Sequence, residues 1–445
     1  MDEKAEPARE QPTYTLAQYE RAKQLIPGAT QLLSKRAELF APEQWPAYYT
    51  EAEGATVVDM DGNEYVDMSY MGIGSCVLGY GDEDIDTAAR NAIDNGVMST
   101  LNPPEEVELA ETLVEMHDWA DMVRFGRPGG EAVSIAVRLA RAYSGDETVA
   151  FCGYHGWHDW YLAANLEAEE NLEDHLLPGL DPKGVPQSLE GTSVPFHYNE
   201  IEELEQIISE NDLGAIVMEP IRNEQPEPGF FERIREIADE QDAPLIIDEI
   251  TAGFRENIGG YHQKLGIRPD VAVYGKALGN GYPISAVVGR EHVMDQAQES
   301  FISSTFWTER IGPAVALATI EKYRSENVHK HLIEIGRSVR EGWEGAAERH
   351  NIPLHTSGID PLPHFSIEHN EGQAAKTLFV QEMLKQGYLT TDSLYASYAH
   401  TPEMITNYLD AVDTVFETIG TALNSGTVLQ QLNGPVAHTK FERLN

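Results

Sequence analysis

Apolar and polar positions follow two rhythms along this chain. Unbroken apolar runs of four or five residues lie at 149–152 (VAFC), 214–218 (GAIVM), 244–247 (PLII), 271–274 (VAVY) and 285–289 (SAVVG). Between and around them, apolar residues recur every three or four positions at 131–143, 200–210, 229–241 and 311–325. The first rhythm predicts strands buried on both faces; the second predicts amphipathic helices. Their alternation predicts an α/β fold, a mostly parallel sheet sandwiched by helices. Such sheets bind ligands beyond the carboxyl ends of their strands.

The flanks read differently. Residues 16–25 predict a short amphipathic helix, ended by Pro27-Gly28. Residues 48–70 are strand-like, with Asp61-Gly62-Asn63 as a hairpin turn between two apolar runs. Helical patterns follow at 82–96 and 104–117, the second opened by Asn102-Pro103-Pro104. From about residue 328 a helix (328–350), a short strand near 363–367 and a helix (373–386) predict a smaller α+β domain. The N-terminal segment would complete its sheet. Four segments result: a disordered tail at 1–13, an N-terminal part of the small domain at 14–75, a large domain at 76–324, and the C-terminal part of the small domain at 325–445. The acidic, Gly/Pro-rich stretch 156–192 is unusually long for a loop and predicts a lid.

Composition narrows the class. At 445 residues with 41% hydrophobic positions, a sizeable core is available and fibrous or wholly disordered classes are excluded. No apolar run reaches membrane-spanning length, and the charged N-terminus lacks a secretory h-region. Two cysteines, Cys76 and Cys152, give no disulfide framework and point to a reducing cytoplasm. The charge is extreme: 31 Lys plus Arg against 74 Asp plus Glu, a net of −43. The acids are spread over the whole chain, which fits a halophilic, saline cytoplasm better than one acidic docking surface. Nucleic acid and anionic membranes are unsuited partners for such a chain.

Four places could carry chemistry. Lys276, in Val-Tyr-Gly-Lys-Ala-Leu-Gly, follows an apolar strand directly, where desolvation would make its amine nucleophilic. Asp248 ends the run Leu-Ile-Ile-Asp and could hold a cationic ring nitrogen. Gly129 and Gly130 open a helix, where free N–H groups suit a phosphate. Tyr154 and His155, in Gly-Tyr-His-Gly-Trp-His, follow a strand end, where an aromatic ring could stack on a flat cofactor. Singly, each has a plainer reading: a solvated lysine, a helix cap or an Asp248–Arg255 salt bridge, a structural turn, an aromatic core plug. His155 and His158 alone do not make a metal site, since no H-E-x-x-H or paired C-x-x-C is present. The dinucleotide fingerprint G-x-G-x-x-G is also absent from the glycine turn. Together, an amine, a carboxylate, a phosphate cradle and a stacking aromatic at strand ends are what pyridoxal phosphate needs.

The chain resembles the class III (subgroup II) pyridoxal-phosphate aminotransferases of fold type I, in their glutamate-1-semialdehyde aminomutase-like branch. The resemblance runs from about Leu25 to about Leu423 and is most specific in Ile246-Ile247-Asp248-Glu249-Ile250-Thr251-Ala252-Gly253-Phe254-Arg255 with Gly275-Lys276. Asp248 and Lys276 are 28 residues apart, the family's spacing. Met218-Glu219-Pro220 and Gly153-Tyr154-His155-Gly156 match two further family motifs.

The resemblance implies a transaminase that moves an amino group from a donor, glutamate, to a keto-sugar, keto-acid or aldehyde acceptor. Lys276 would form the Schiff base and move the proton, Asp248 would pair with the ring nitrogen, and Tyr154 would stack on the ring. Ile250 would pack on its other face, and Glu219 would join the polar network beside it. Thr305 would reach the phosphate of the neighbouring subunit in a homodimer. Ser34, Lys35, Trp157 and His158 are the candidate substrate contacts. The family's Asn-Ser-Gly-Thr-Glu-Ala becomes Arg127-Pro128-Gly129-Gly130-Glu131-Ala132 here, so backbone N–H groups would carry the phosphate. The aminomutase's N-terminal serine and arginine are replaced in Gly28-Ala29-Thr30-Gln31-Leu32-Leu33-Ser34-Lys35, which sets intramolecular amine transfer behind transamination. A non-catalytic binding protein on the same scaffold is the alternative from another class; retention of both Asp248 and Lys276 argues against it.

Overall fold

In a computed structural model, the described residues are 14–440, save Glu169, Asp174, Leu176, Leu177, Arg222 and Asn223, together with Leu444. The tail expected at 1–13 lies outside them. The chain divides into two units: one holds residues up to Ile73, Gly79–Gly81 and Glu334 onward, and the other holds Gly74–Leu78 and Asp82–Ile333.

The larger unit is built on seven strands: β1 (Met122–Gly126), β2 (Thr148–Cys152), β3 (Ser193–Pro195), β4 (Leu213–Met218), β5 (Leu245–Asp248), β6 (Val271–Tyr274) and β7 (Ser285–Gly289). Their order across the sheet is β1-β7-β6-β5-β4-β2-β3. Only β7 runs against the rest, pairing antiparallel with both β1 and β6. The four apolar runs 149–152, 214–218, 244–247 and 271–274 are the parallel strands β2, β4, β5 and β6.

Strand alternation explains why those runs are apolar throughout. Val149, Phe151, Ala215, Val217 and Ile246 point to one face, against Ala132, Val133, Ala136, Leu139 and Ala140 of helix α1 (Gly129–Ser144). Ala150, Cys152, Ile216, Met218, Leu245 and Ile247 point to the other, against helices α2 (Ile201–Glu210) and α3 (Phe230–Glu240). Both faces are covered, so no polar position survives until a strand ends. β4, β5 and β6 therefore deliver Glu219, Asp248 and Lys276 at or just beyond their carboxyl ends.

In this sheet two strands, β1 and β3, lie outside the expected set. β1 carries Arg124, which breaks its apolar run and donates through Nη2 to Ile302 O at 2.7 Å. β3 has three residues and ends in proline. The stretch 156–192 also differs from a free lid. It contains two four-residue helices, Asp159–Leu162 and Ala164–Glu167, and Trp160, Tyr161 and Ala164 are buried in the α1-side core. Apolar residues at helical spacing, masked by the surrounding acids, anchor its first half.

The smaller unit has a four-stranded sheet. Tyr49–Glu53, Thr56–Asp59 and Glu64–Met68 form an antiparallel meander, and Tyr388–Thr390 adds in parallel to the last. Three of its strands are thus N-terminal and one C-terminal, while the strand expected near 363–367, His364–Ile367, pairs instead with Leu354–Ser357 in a separate two-stranded sheet. The turn at Asp61-Gly62-Asn63 is held by Asp59 Oδ1, which accepts from the backbone N–H of both Asp61 and Asn63. A 24-residue helix, Pro402–Ser425, was not among the expected elements; Thr401 caps it, and Ile405, Tyr408, Val412, Phe416 and Ile419 bury one stripe.

Candidate active site

The carboxyl ends of β2, β4, β5 and β6 gather most of the expected residues. Asp248 closes β5 and is buried. Its Oδ2 lies 2.8 Å from His155 Nδ1, and its Oδ1 accepts from Ile250 N at 3.1 Å. His155 Nε2 lies 3.1 Å from Cys152 O, a group that only accepts. Both imidazole nitrogens thus face acceptors, and the ring is spent on aiming the Asp248 carboxylate. Arg255 does not take that role: it donates from Nε to Thr251 O at 3.2 Å and from Nη2 to Gly74 O.

Glu219 follows β4. Its Oε2 accepts from Tyr154 N at 3.0 Å, fixing the backbone of the aromatic turn. A side chain at Gly153 would bring its Cβ to 2.6 Å from the same oxygen, so the close approach needs glycine. Tyr154 itself is half-buried and packs against the α1-side core.

Lys276 follows β6 after Gly275. Its φ is +43°, in the left-handed region that side chains other than Gly and Asn seldom visit. Strain of this kind concentrates where geometry serves function. Its Nζ donates to Thr251 Oγ1 at 2.9 Å. Thr251 was not among the expected site residues; its place three positions after Asp248 in the most specific motif was the available signal.

The glycines at the start of α1 form a cradle. Pro128 is its N-cap and supplies no side-chain hydrogen bond. The first-turn N–H groups are therefore left for an anion. A Cβ on Gly129 would sit 2.6 Å from Ile250 Cδ1, and one on Gly156 would sit 2.8 Å from Gly130 Cα. Ile250 also lies in van der Waals contact with the Cβ position of Gly275. One isoleucine thus separates the cradle from the lysine.

Thr305 is exposed on a single turn, Thr305–Thr308. That turn is tied to the cradle by Arg127, whose Nη2 donates to Trp307 O at 3.1 Å and Glu309 O at 3.0 Å and pairs with Glu309 Oε1 at 2.9 Å. Burial pushes the Arg127 guanidinium below its usual range, against the pull of Glu309. Trp157 is exposed and His158 is half-buried, both in the turn after Gly156. Ser34 and Lys35 lie on a one-turn helix, Leu33–Lys35, of the smaller unit.

These residues fit pyridoxal phosphate: an uncapped glycine cradle for the phosphate, a carboxylate at a strand end for the ring nitrogen, and an amine on a neighbouring strand end. The profile of the class-III aminotransferases matches residues 40–419. The chain belongs to the class-III aminotransferase family. The 3-aminobutyryl-CoA aminotransferase of Cloacimonas acidaminovorans is 31% identical to it over 413 residues, 89% of this chain and 95% of that one. A glutamate-1-semialdehyde 2,1-aminomutase from Methanothrix thermoacetophila is also 31% identical, over 88% of this chain and 94% of that one. Among solved structures, the pyridoxal-phosphate form of the FumI protein from Sphingopyxis sp. MTA144 superposes with a TM-score of 0.83 at 28% identity, covering 92% of this chain and 97% of that one. The class-III aminotransferase described here is thus a pyridoxal-phosphate-dependent enzyme of fold type I, and the α/β layout expected from the hydrophobic pattern is the observed one.

Proposed function

We propose that this transaminase works through Lys276, with glutamate as amino donor and a keto-sugar, keto acid or aldehyde as acceptor. The observation that carries the assignment is that Lys276 pairs with Thr251 and His155 with Asp248 at the carboxyl ends of β6, β5 and β2. When bound, pyridoxal phosphate supplies an aldehyde that condenses with amines and a cationic ring that withdraws electrons. Lys276 would hold it covalently, and the same Nζ, once freed by the substrate amine, would take the substrate Cα proton and return it on the other side of the transferred nitrogen. Thr251 Oγ1 holds that amine. Asp248, aimed by His155, would keep the ring nitrogen protonated. The first turn of α1 would hold the phosphate and Tyr154 and Ile250 would flank the ring, while Glu219 fixes the turn that carries Tyr154.

A homodimer completes the assignment. Phe301 (88% exposed), Phe306 (69%) and Leu101 (80%) leave large apolar side chains in solvent around Thr305. Arg310 N donates to Val97 O at 3.0 Å, which joins the 97–101 and 304–310 segments into one surface. A second copy covering this patch would place Thr305 toward its partner's phosphate. Cys76 and Cys152, in no disulfide among the described residues, fit a reducing, cytoplasmic setting, and the net charge of −43 fits a saline one. Among the described residues no helix is long and apolar enough to cross a membrane.

The test is the visible spectrum of the protein in high salt, loaded with pyridoxal phosphate, before and after glutamate. A band that is lost as 2-oxoglutarate appears supports an external donor. A band that persists with glutamate, but shifts with a single amino-carbonyl substrate and no keto-acid product, favours the aminomutase reaction of the Methanothrix relative instead. No band in Lys276→Ala and wild type alike would overturn the assignment of the lysine.

A further inference from the structure

The loop after β2 uses nearly every residue on the site. Tyr154 is fixed by Glu219, His155 by Asp248, and Gly156 by Gly130. Trp157 and His158 come next, and their chemistry can be read from Ser134, one turn into α1.

Three groups meet Ser134 Oγ. Gly130 O lies at 2.8 Å, Trp160 Nε1 at 3.1 Å, and His158 Nδ1 is in hydrogen-bond contact. A carbonyl only accepts, so the single hydroxyl hydrogen goes to Gly130. An indole N–H only donates, so Trp160 fills one lone pair. Ser134 then has only a lone pair left for His158, and Nδ1 must bring the hydrogen. Neutral His158 is therefore fixed as the Nδ1–H tautomer, with a bare Nε2. The contact with Ser134 is the ring's hydrogen bond among the described residues, and the residue is half-exposed. Beside it, the Trp157 indole is 69% exposed and meets the imidazole at 4.7 Å in an edge-on contact. The pair presents an acceptor nitrogen next to an uncovered apolar plane.

We infer that Trp157 and His158 form a specificity subsite that takes the hydroxylated part of the substrate. An O–H or N–H of the substrate donates to His158 Nε2, while its C–H face lies on the indole. A carboxylate at this place would bring lone pairs against a lone pair. The inference rests on the site assignment above and deepens it: it favours a polyhydroxylated carbonyl substrate over a simple keto acid. Ser134 is the positioning residue that selects the tautomer.

The test uses the pyridoxal-phosphate-loaded protein in high salt and three amines on one carbon frame: isopropylamine, 2-amino-1-propanol and 2-amino-1,3-propanediol. Single-turnover loss of the visible band gives a half-saturating concentration and a maximal rate for each. Wild type is expected to gain at least about tenfold in half-saturation from no hydroxyl to two. His158→Asn keeps a donor for Ser134 but removes the acceptor, and should abolish that gain in half-saturation. His158→Gln, which can place an oxygen where Nε2 stood, should restore part of it. Independently, diethyl pyrocarbonate should acylate His158, read by peptide mass spectrometry, because only a bare ring nitrogen reacts. An unmodified His158, or equal selectivity in wild type and His158→Asn, overturns the subsite. A visible band that no amine removes, glutamate included, overturns the site assignment itself and the subsite with it.

Discussion

At the residue scale, the site depends on side chains held by one or two directed bonds each. Asp248 keeps its charge aimed because His155 and the Ile250 N–H each take one oxygen. Asp248→Asn preserves shape but removes the charge from the ring nitrogen. Its turnover should fall by about 10²-fold or more, with little change in unfolding midpoint. Lys276→Ala should lower turnover by at least about 10²-fold and remove the covalent visible band, while noncovalent cofactor binding, followed by fluorescence, persists. Thr251→Ala leaves the Lys276 amine without its acceptor, whereas Thr251→Ser retains it. A change in the pH dependence of the visible band in the first variant and not in the second would confirm that the hydroxyl acts on the amine. Lys276, Asp248 and the Tyr154 turn were legible in the sequence because strand ends and glycine turns leave a periodic trace. Thr251 and Ser134 were not. Each acts through one bond to a residue 24 or 25 positions away, and no period records such a bond.

At the scale of elements, glycine sets how closely α1 approaches the sheet. Gly129→Ala would drive a methyl into Ile250, which stands between cradle and lysine. It should weaken pyridoxal-phosphate affinity by at least about tenfold, read by equilibrium dialysis, before it costs much stability. A second junction links the end of helix Pro104–Glu115 to β6. His117 Nδ1 donates to Leu113 O at 2.6 Å, and its Nε2 accepts from Tyr274 OH at 2.6 Å. Burial pushes His117 down to about 4, below its ordinary value of 6.5. The unfolded chain therefore binds the proton that the folded one refuses. The stability this neutral histidine contributes is complete above pH 6.5 and is lost as pH falls toward 4. His117→Gln should flatten that part of the pH–stability curve; an unchanged acid limb in chemical denaturation would contradict it. The strands at 149–152, 214–218 and 271–274 were readable because both sheet faces are covered. β1 was not, since an edge strand tolerates Arg124 and an exposed Met122.

At the scale of the whole molecule, 31 cationic side chains cannot neutralise 74 carboxylates, so most acids stand without an opposite charge. Their mutual repulsion extends over about 10 Å at 0.1 M salt and about 3 Å at 1 M. Unfolding midpoints should rise steadily from dilute buffer to molar KCl; a flat series would remove salt adaptation as the reason for the charge. The sheet order has a consequence for synthesis. β1 precedes the glycine cradle, yet among the described residues its only partner in the sheet is β7, where Gly126 pairs with Ser285. A ribosome adding about 5–20 residues per second needs about 8–30 s to cover that interval. Throughout that time the nascent chain carries the cradle beside an unzipped strand edge. The proposed phosphate site is therefore among the first parts of the large unit to be translated and among the last to close.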